Sequence, residues 1–140
     1  MCGIVGILNS SSLKNNSIDI LKKLEYRGYD SAGISLFSKE RIKTIKSVGK
    51  ISELKNKAQN VSDKNFYGVI GHTRWATHGV VSKNNAHPFA NDDLTLVCNG
   101  IIENYRKIQN RFVEIPKNIQ SDTEISFYLL TYLVLSLIHI

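Results

Sequence analysis

The sequence predicts an α+β domain built on an antiparallel sheet, and two observations carry that prediction. Short apolar runs of strand length recur without the regular strand–helix alternation that a parallel βαβ sheet requires. Two of them, residues 32–37 and 42–48, flank the polar turn Ser38-Lys39-Glu40-Arg41, which is the pattern of a hairpin. At 140 residues the chain has room for one domain with a proper core, and not comfortably for two.

Taken in order, Ile4, Val5, Ile7 and Leu8 predict a buried first strand, with Gly3 and Gly6 allowing close approach. Residues 9–16 read as a polar Ser/Asn loop, and Ser17 as the cap of a helix over 18–26, where Ile18, Leu21 and Leu24 form one stripe. A turn rich in small and polar residues spans 27–33 and leads into the hairpin. A short helix is expected over 52–58, a surface loop over 60–65, and strands over 67–70 and 94–98. Residues 101–111 have mixed helical character, and 123–140 are strongly apolar, helical at least at their start. That apolar stretch is shorter than the roughly 20 residues a membrane span needs, so a core helix is expected. There are no internal repeats and no low-complexity linker.

Composition excludes several function classes. Hydrophobic content of 42% and charged content of 21% describe an ordinary globular protein, not a disordered one. The net charge of +6 comes from dispersed lysines without a run of five, so a solvated surface is expected and no nucleic-acid partner. Cys2 and Cys98 are the two cysteines, without CxxC spacing, which indicates neither a disulfide framework nor a zinc knuckle. No signal peptide is visible, and a cytoplasmic location is expected, with no membrane partner.

Three places carry chemistry. Removal of Met1 would leave Cys2 with a free α-amine, whose reference pKa of roughly 7.7–8.0 suits a base near neutral pH. Nucleophile and base would then share one residue. The alternative is plain packing, since cysteine is among the most buried residue types. Arg74, beyond the strand at 67–70 and bracketed by Gly71 and Gly79, could grip a carboxylate with its planar fork, or form a structural salt bridge with Asp30. Asn99-Gly100, directly after the strand at 94–98, could supply an amide and a backbone N–H to an oxyanion, or could be an ordinary Asn-Gly turn. His72, His87 and Cys98 lack metal-site spacing and are expected to form structural hydrogen bonds.

Six blocks in order resolve these alternatives: Cys2-Gly3-Ile4-Val5-Gly6; residues 25–33, Glu-Tyr-Arg-Gly-Tyr-Asp-Ser-Ala-Gly; residues 71–79, Gly-His-Thr-Arg-Trp-Ala-Thr-His-Gly; Asn85-Ala86-His87-Pro88; Asn99-Gly100-Ile101-Ile102-Glu103-Asn104; and Ser121-Asp122-Thr123-Glu124. Together they resemble the class II, N-terminal-nucleophile (Ntn) glutamine amidotransferases. The resemblance implies a four-layer αββα sandwich, a glutamine substrate, and no metal or organic cofactor. It implies Cys2 as nucleophile, Asn99 and Gly100 as oxyanion donors, Arg74 on the glutamine carboxylate and Asp122 on its ammonium. Thr77 and His78 would line the same pocket, with Trp75 in a mobile loop above it. Tyr26, Arg27, Tyr29 and Asp30 are expected to brace the site. Cys98 stands where the family usually has histidine.

The family domain continues well past position 140, so the resemblance implies the N-terminal portion of an amidotransferase domain, incomplete at its C-terminus. Sugar isomerase domains would be absent, and with them any site for fructose 6-phosphate, the acceptor in the family branch most resembled. The full-length enzyme would be a homo-oligomer. Exposed apolar surface is expected near the C-terminal end, where the last eight or so residues look foreign. Two other classes stay open: a module that binds glutamine without hydrolysing it, and a small basic nucleic-acid binder.

Overall fold

The computed structural model describes residues 2–138. The elements run β1 (Gly3–Leu8), α1 (Leu13–Lys23), a 3-10 turn (Glu25–Arg27), β2 (Ser31–Phe37), β3 (Ile42–Val48), α2 (Ile51–Ala58), β4 (Gly68–Arg74), β5 (Phe89–Ala90), β6 (Thr95–Leu96), α3 (Tyr105–Arg111) and α4 (Asp122–Ile138). Four strands form an antiparallel sheet in the order β1-β4-β2-β3, and β5 and β6 pair as a separate ribbon. The α+β class with an antiparallel sheet is what the strand pattern predicted.

Strand periodicity of two divides the sheet into two chemically different faces. Val5, Ile34, Leu36, Ile45 and Val69 point to one side, where they bury against Leu13, Ile18 and Leu21 of α1 and Ile51, Leu54 and Ala58 of α2. A buried leucine or isoleucine contributes about 1.5–3 kcal/mol, so this layer is the main store of stability. The opposite face of β4 carries His72 and Arg74, which are buried and polar. A second, smaller core of Ile115, Ile119 and Ile125 joins α3 to α4.

Several element boundaries differ from expectation, each for a nonlocal reason. Helix α1 starts at Leu13, with Ser17 inside it, where its Oγ donates to the Lys14 carbonyl at 2.8 Å. The Lys14 amide is satisfied instead by Asp63 Oδ2 at 3.0 Å, a cap from 49 residues away. Glu25 Oε1 caps α2 in the same way, accepting from the Ile51 amide at 2.6 Å. Strand β4 runs on through His72, Thr73 and Arg74, because β1 and β2 flank it and satisfy its backbone on both sides. Strand β6 is two residues rather than five, since β5 offers only two to pair with.

Helix α4 is apolar on nearly every face. Leu130, Leu133, Leu135 and Leu137 are 39%, 44%, 40% and 70% exposed, which is the apolar surface expected there. The expectation for the final residues reaches 139 and 140, which lie outside the described residues. No helix among the described residues is long and apolar enough to cross a membrane.

The polar face of the sheet is covered by the segment around His87, which crosses directly over Gly33. A Cβ at Gly33 would lie 2.3 Å from the His87 carbonyl oxygen and 2.9 Å from that of Ile45. Both are backbone atoms that cannot swing aside. Gly33→Ala is therefore expected to destabilise the fold by about 1–3 kcal/mol or more, read as a lowered midpoint of chemical denaturation. A midpoint equal to that of the parent would refute the close packing of this segment on β2.

Candidate active site

The polar ends of β1, β4 and α4 converge on one cavity of about 20 Å³. Cys2, Arg74, Trp75, Thr77, His78, Gly100 and Asp122 line it, joined by His87, Cys98, Ser121 and Thr123. Asn99 is beside it and donates from Nδ2 to the Cys2 carbonyl at 3.0 Å. The residues expected from the sequence as catalytic or substrate-binding are thus gathered in one place, from Cys2 to Asp122.

Cys2 is held both by its carbonyl and by its sulfur. Its carbonyl accepts from Arg27 Nε at 3.2 Å as well as from Asn99. The sulfur accepts from the Trp75 amide at 3.3 Å and lies 3.8 Å from the Trp75 carbonyl. Gly3, next in sequence, donates its amide to Thr73 Oγ1 at 2.9 Å, which completes the anchoring of this end.

Arg74 is 4% exposed and ends β4. Its guanidinium donates to the carbonyls of His78, of Gly79 at 3.4 Å and of Val80 at 3.3 Å, so the following loop folds back around it. Gly79 makes that return possible: its φ is +78°, and a Cβ there would lie 2.8 Å from Asn85 Nδ2. Burial pushes the Arg74 pKa down, while Cys2, Asp30 and Asp122 pull it back up. Asp30 does not make the salt bridge considered from sequence; its Oδ2 accepts from the Ala76 amide at 2.8 Å. Asp122 Oδ2 likewise accepts a backbone N–H, that of Ile102, at 2.9 Å.

Of the four residues expected as braces, three act so. Arg27 and Asp30 make the bonds just given, and Tyr29 meets Trp75 edge-on at 5.7 Å. Tyr26 lies 76% exposed and takes no part in the site.

Sequence reasoning gave His87 and Thr123 no place in the cavity, although both fall inside recognisable blocks. His72 Nε2 donates to the Cys98 carbonyl at 2.9 Å, the structural role expected of it. His87 departs from that expectation: its Nδ1 is buried without a partner, and its ring lies against that of His72, with centroids 4.2 Å apart and planes tilted by 38°. Burial, then the neighbouring His72, Arg74 and Lys46, push the His87 pKa down to about 2. Burial chiefly pushes His72 down to about 4, against the bond to Cys98. No group of three or more His, Cys, Asp or Glu among the described residues could hold a metal ion.

The fold is that of the Ntn-hydrolase glutamine amidotransferases. Among solved structures, an allosteric regulatory enzyme of purine biosynthesis superposes with a TM-score of 0.72 at 25% identity, over 94% of this chain and 29% of that one. A glutamine phosphoribosylpyrophosphate amidotransferase from B. subtilis superposes at 0.61 and 26% identity, over 93% and 28%. Sequence relatives narrow the placement. The chain is 44% identical to the glutamine–fructose-6-phosphate aminotransferase (isomerizing) of Bartonella henselae over 94% of its own length and 22% of the relative. It is 46% identical to that of Francisella tularensis over 89% and 20%, and 45% identical to that of Helicobacter pylori over 93% and 22%. No protein-family model matches the chain. It is a homologue of the N-terminal part of the isomerizing glutamine–fructose-6-phosphate aminotransferases, and spans about a fifth of their length.

The two histidines make stability depend on pH. Each has a folded pKa below its unfolded value of 6.5, so the unfolded chain binds protons that the folded one does not. Their contribution is complete above pH 6.5 and falls as pH drops toward about 4 for His72 and about 2 for His87. Between pH 7.5 and 5.5 the pair should lose on the order of 2 kcal/mol. Denaturation midpoints at both pH values check this, and His87→Gln should remove about half of the loss. A parent whose stability is flat across the interval would refute it.

Proposed function

We propose that this chain carries the glutamine-hydrolysing chemistry of an amidotransferase, with Cys2 as nucleophile once Met1 is removed. The observation that carries the reading is the meeting of Cys2, Arg74, Asn99, Gly100 and Asp122 around one cavity. The relatives' names supply the substrate, glutamine.

In this reading the Cys2 α-amine takes the thiol proton, and the thiolate attacks the carboxamide carbon of glutamine. The oxyanion that forms is held by the Gly100 amide and by the second N–H of the Asn99 side chain, the first being engaged with the Cys2 carbonyl. Arg74 pairs with the substrate carboxylate and Asp122 with its ammonium, which fixes the amide at the sulfur. Collapse of the intermediate protonates and expels ammonia and leaves a γ-glutamyl thioester, which water hydrolyses to glutamate. Neither the oxyanion nor the thioester step calls for a metal or organic cofactor.

A cavity of about 20 Å³ holds roughly one water molecule, far less than glutamine. Entry of substrate therefore requires the loop from Trp75 to Gly79 to open, and its return would shield the thioester from bulk water. The same dimension favours a second reading, in which the closed cavity leaves the chain catalytically silent. The chain is assigned to the N-terminal portion of the amidotransferase domain. Delivery of ammonia to fructose 6-phosphate, assembly into oligomers and a cytoplasmic location belong to the longer protein this reading places it in.

Glutamate release from glutamine tests the two readings against each other. The first expects turnover in the parent, none in Cys2→Ala, and kcat lowered about 100- to 1000-fold in Asn99→Ala. Arg74→Lys should raise KM, because a point charge replaces a planar fork. An electrophilic glutamine analogue should add once, at Cys2, as seen by intact mass. Lack of both turnover and adduct in a chain without Met1 would establish the silent reading.

A further inference from the structure

The chain's two cysteines, at positions 2 and 98, line the same small cavity, and both are free and only half-buried. Their backbones are tied to one another by bonds that do not involve sulfur. The residue after Cys98 donates its side-chain amide to the Cys2 carbonyl at 3.0 Å. The Cys98 carbonyl accepts from His72 on β4, and β4 pairs with β1, which begins one residue after Cys2. A disulfide needs Cα atoms about 4.4–6.8 Å apart, and the cavity that both cysteines line, about 20 Å³, has room for roughly one water between its walls. The two thiols also differ in character. The Cys2 sulfur receives the Trp75 amide at 3.3 Å, whereas burial raises the Cys98 pKa.

From this arrangement we infer that Cys2 and Cys98 form a reversible intramolecular disulfide under hydroperoxide oxidation, which caps the nucleophile. The Cys2 thiolate attacks one oxygen of hydrogen peroxide, the O–O bond breaks, and the departing oxygen leaves as water after protonation (as an alcohol from an organic hydroperoxide). Cys2 is then a sulfenic acid. The Cys98 sulfur attacks the Cys2 sulfur, the S–O bond breaks, and hydroxide leaves with the Cys98 proton as a second water. Two thiols are oxidised by two electrons and one hydroperoxide is reduced, with no other reactant. Fast closure protects Cys2 from further, irreversible oxidation, because the sulfenic acid is consumed where it forms. That the bond switches off glutamine hydrolysis rests on the function proposed above; that the bond forms does not.

The test is intact mass and peptide mapping after hydrogen peroxide treatment and alkylation of remaining thiols. The expected product has lost two hydrogen atoms, takes no alkyl group, contains a crosslink between Cys2 and Cys98, and returns to two free thiols with dithiothreitol. Cys98→Ser should instead gain oxygen at Cys2. Closure in the native chain should be at least about tenfold faster than in denaturant, because the fold holds the sulfurs together. Oxygen gain on Cys2 of the parent, two alkylated cysteines, or equal rates in native and denatured chain would each overturn the inference. Glutaminase activity, measured in parallel, should fall with crosslinking and recover on reduction. A crosslink in a chain that never hydrolyses glutamine would keep the disulfide and reject the proposed function.

Discussion

The structure depends on the backbone pairing of β4 with a strand on each side. β1 lies antiparallel to it from Gly3 opposite Thr73 to Leu8 opposite Gly68, and β2 pairs with the same residues and with Arg74 as well. Because both edges of β4 are satisfied, its side chains are free to differ in polarity by face. Val69 joins the helix-covered core, while His72 and Arg74 occupy the other side. The same ladder places Cys2, one residue before β1, beside the end of β4. Cys2 and the buried Arg74 are therefore brought together by strand pairing.

Around that ladder the site is assembled mostly by backbone recognition. The carbonyl of Cys2, the amide of Ala76 and the amide of Ile102 are each bound by a charged or amide side chain, from Arg27 and Asn99, from Asp30 and from Asp122. Such bonds to charged groups are worth more than neutral ones, roughly 1.5–3 kcal/mol each. They hold loops that have little apolar surface with which to anchor themselves. The pair His72 and His87 beneath the cavity works in the opposite sense. Two imidazoles kept neutral, with unpartnered Nδ1 atoms, lower the stability of this region compared with an apolar filling.

How far this was legible in the sequence varies with the range of the interaction. The hairpin of β2 and β3 and helix α2 were readable within a residue, because apolar period and turn chemistry are local. The start of α1 was not, since its cap is Asp63, and nothing near Leu13 announces a distant carboxylate. The extension of β4 was missed because His72, Thr73 and Arg74 look like turn residues until a strand lies on either side. The candidate site residues lay in recognisable blocks of sequence, and the structure brings those residues around one cavity. What the blocks did not reveal is which members face the cavity from beneath: His87 arrives there because Gly33 lets its backbone cross β2. The exposed apolar face of α4 was foreseen from its apolar run taken with the family resemblance, which implies an incomplete domain; the run by itself predicted a core helix.

The way Arg74 is satisfied has a consequence for sequence change over time. Its partners are the carbonyls of His78, Gly79 and Val80, four to six residues further along the same chain. Surface loops normally absorb insertions and deletions easily. In this loop, adding or removing one residue would turn those carbonyls away and strand a buried charge, a far larger penalty than most side-chain replacements carry. The segment from Trp75 to Val80 can therefore vary in composition but not in length, with Gly79 fixed by its φ of +78°. Its length is set by electrostatics rather than by the distance it has to span.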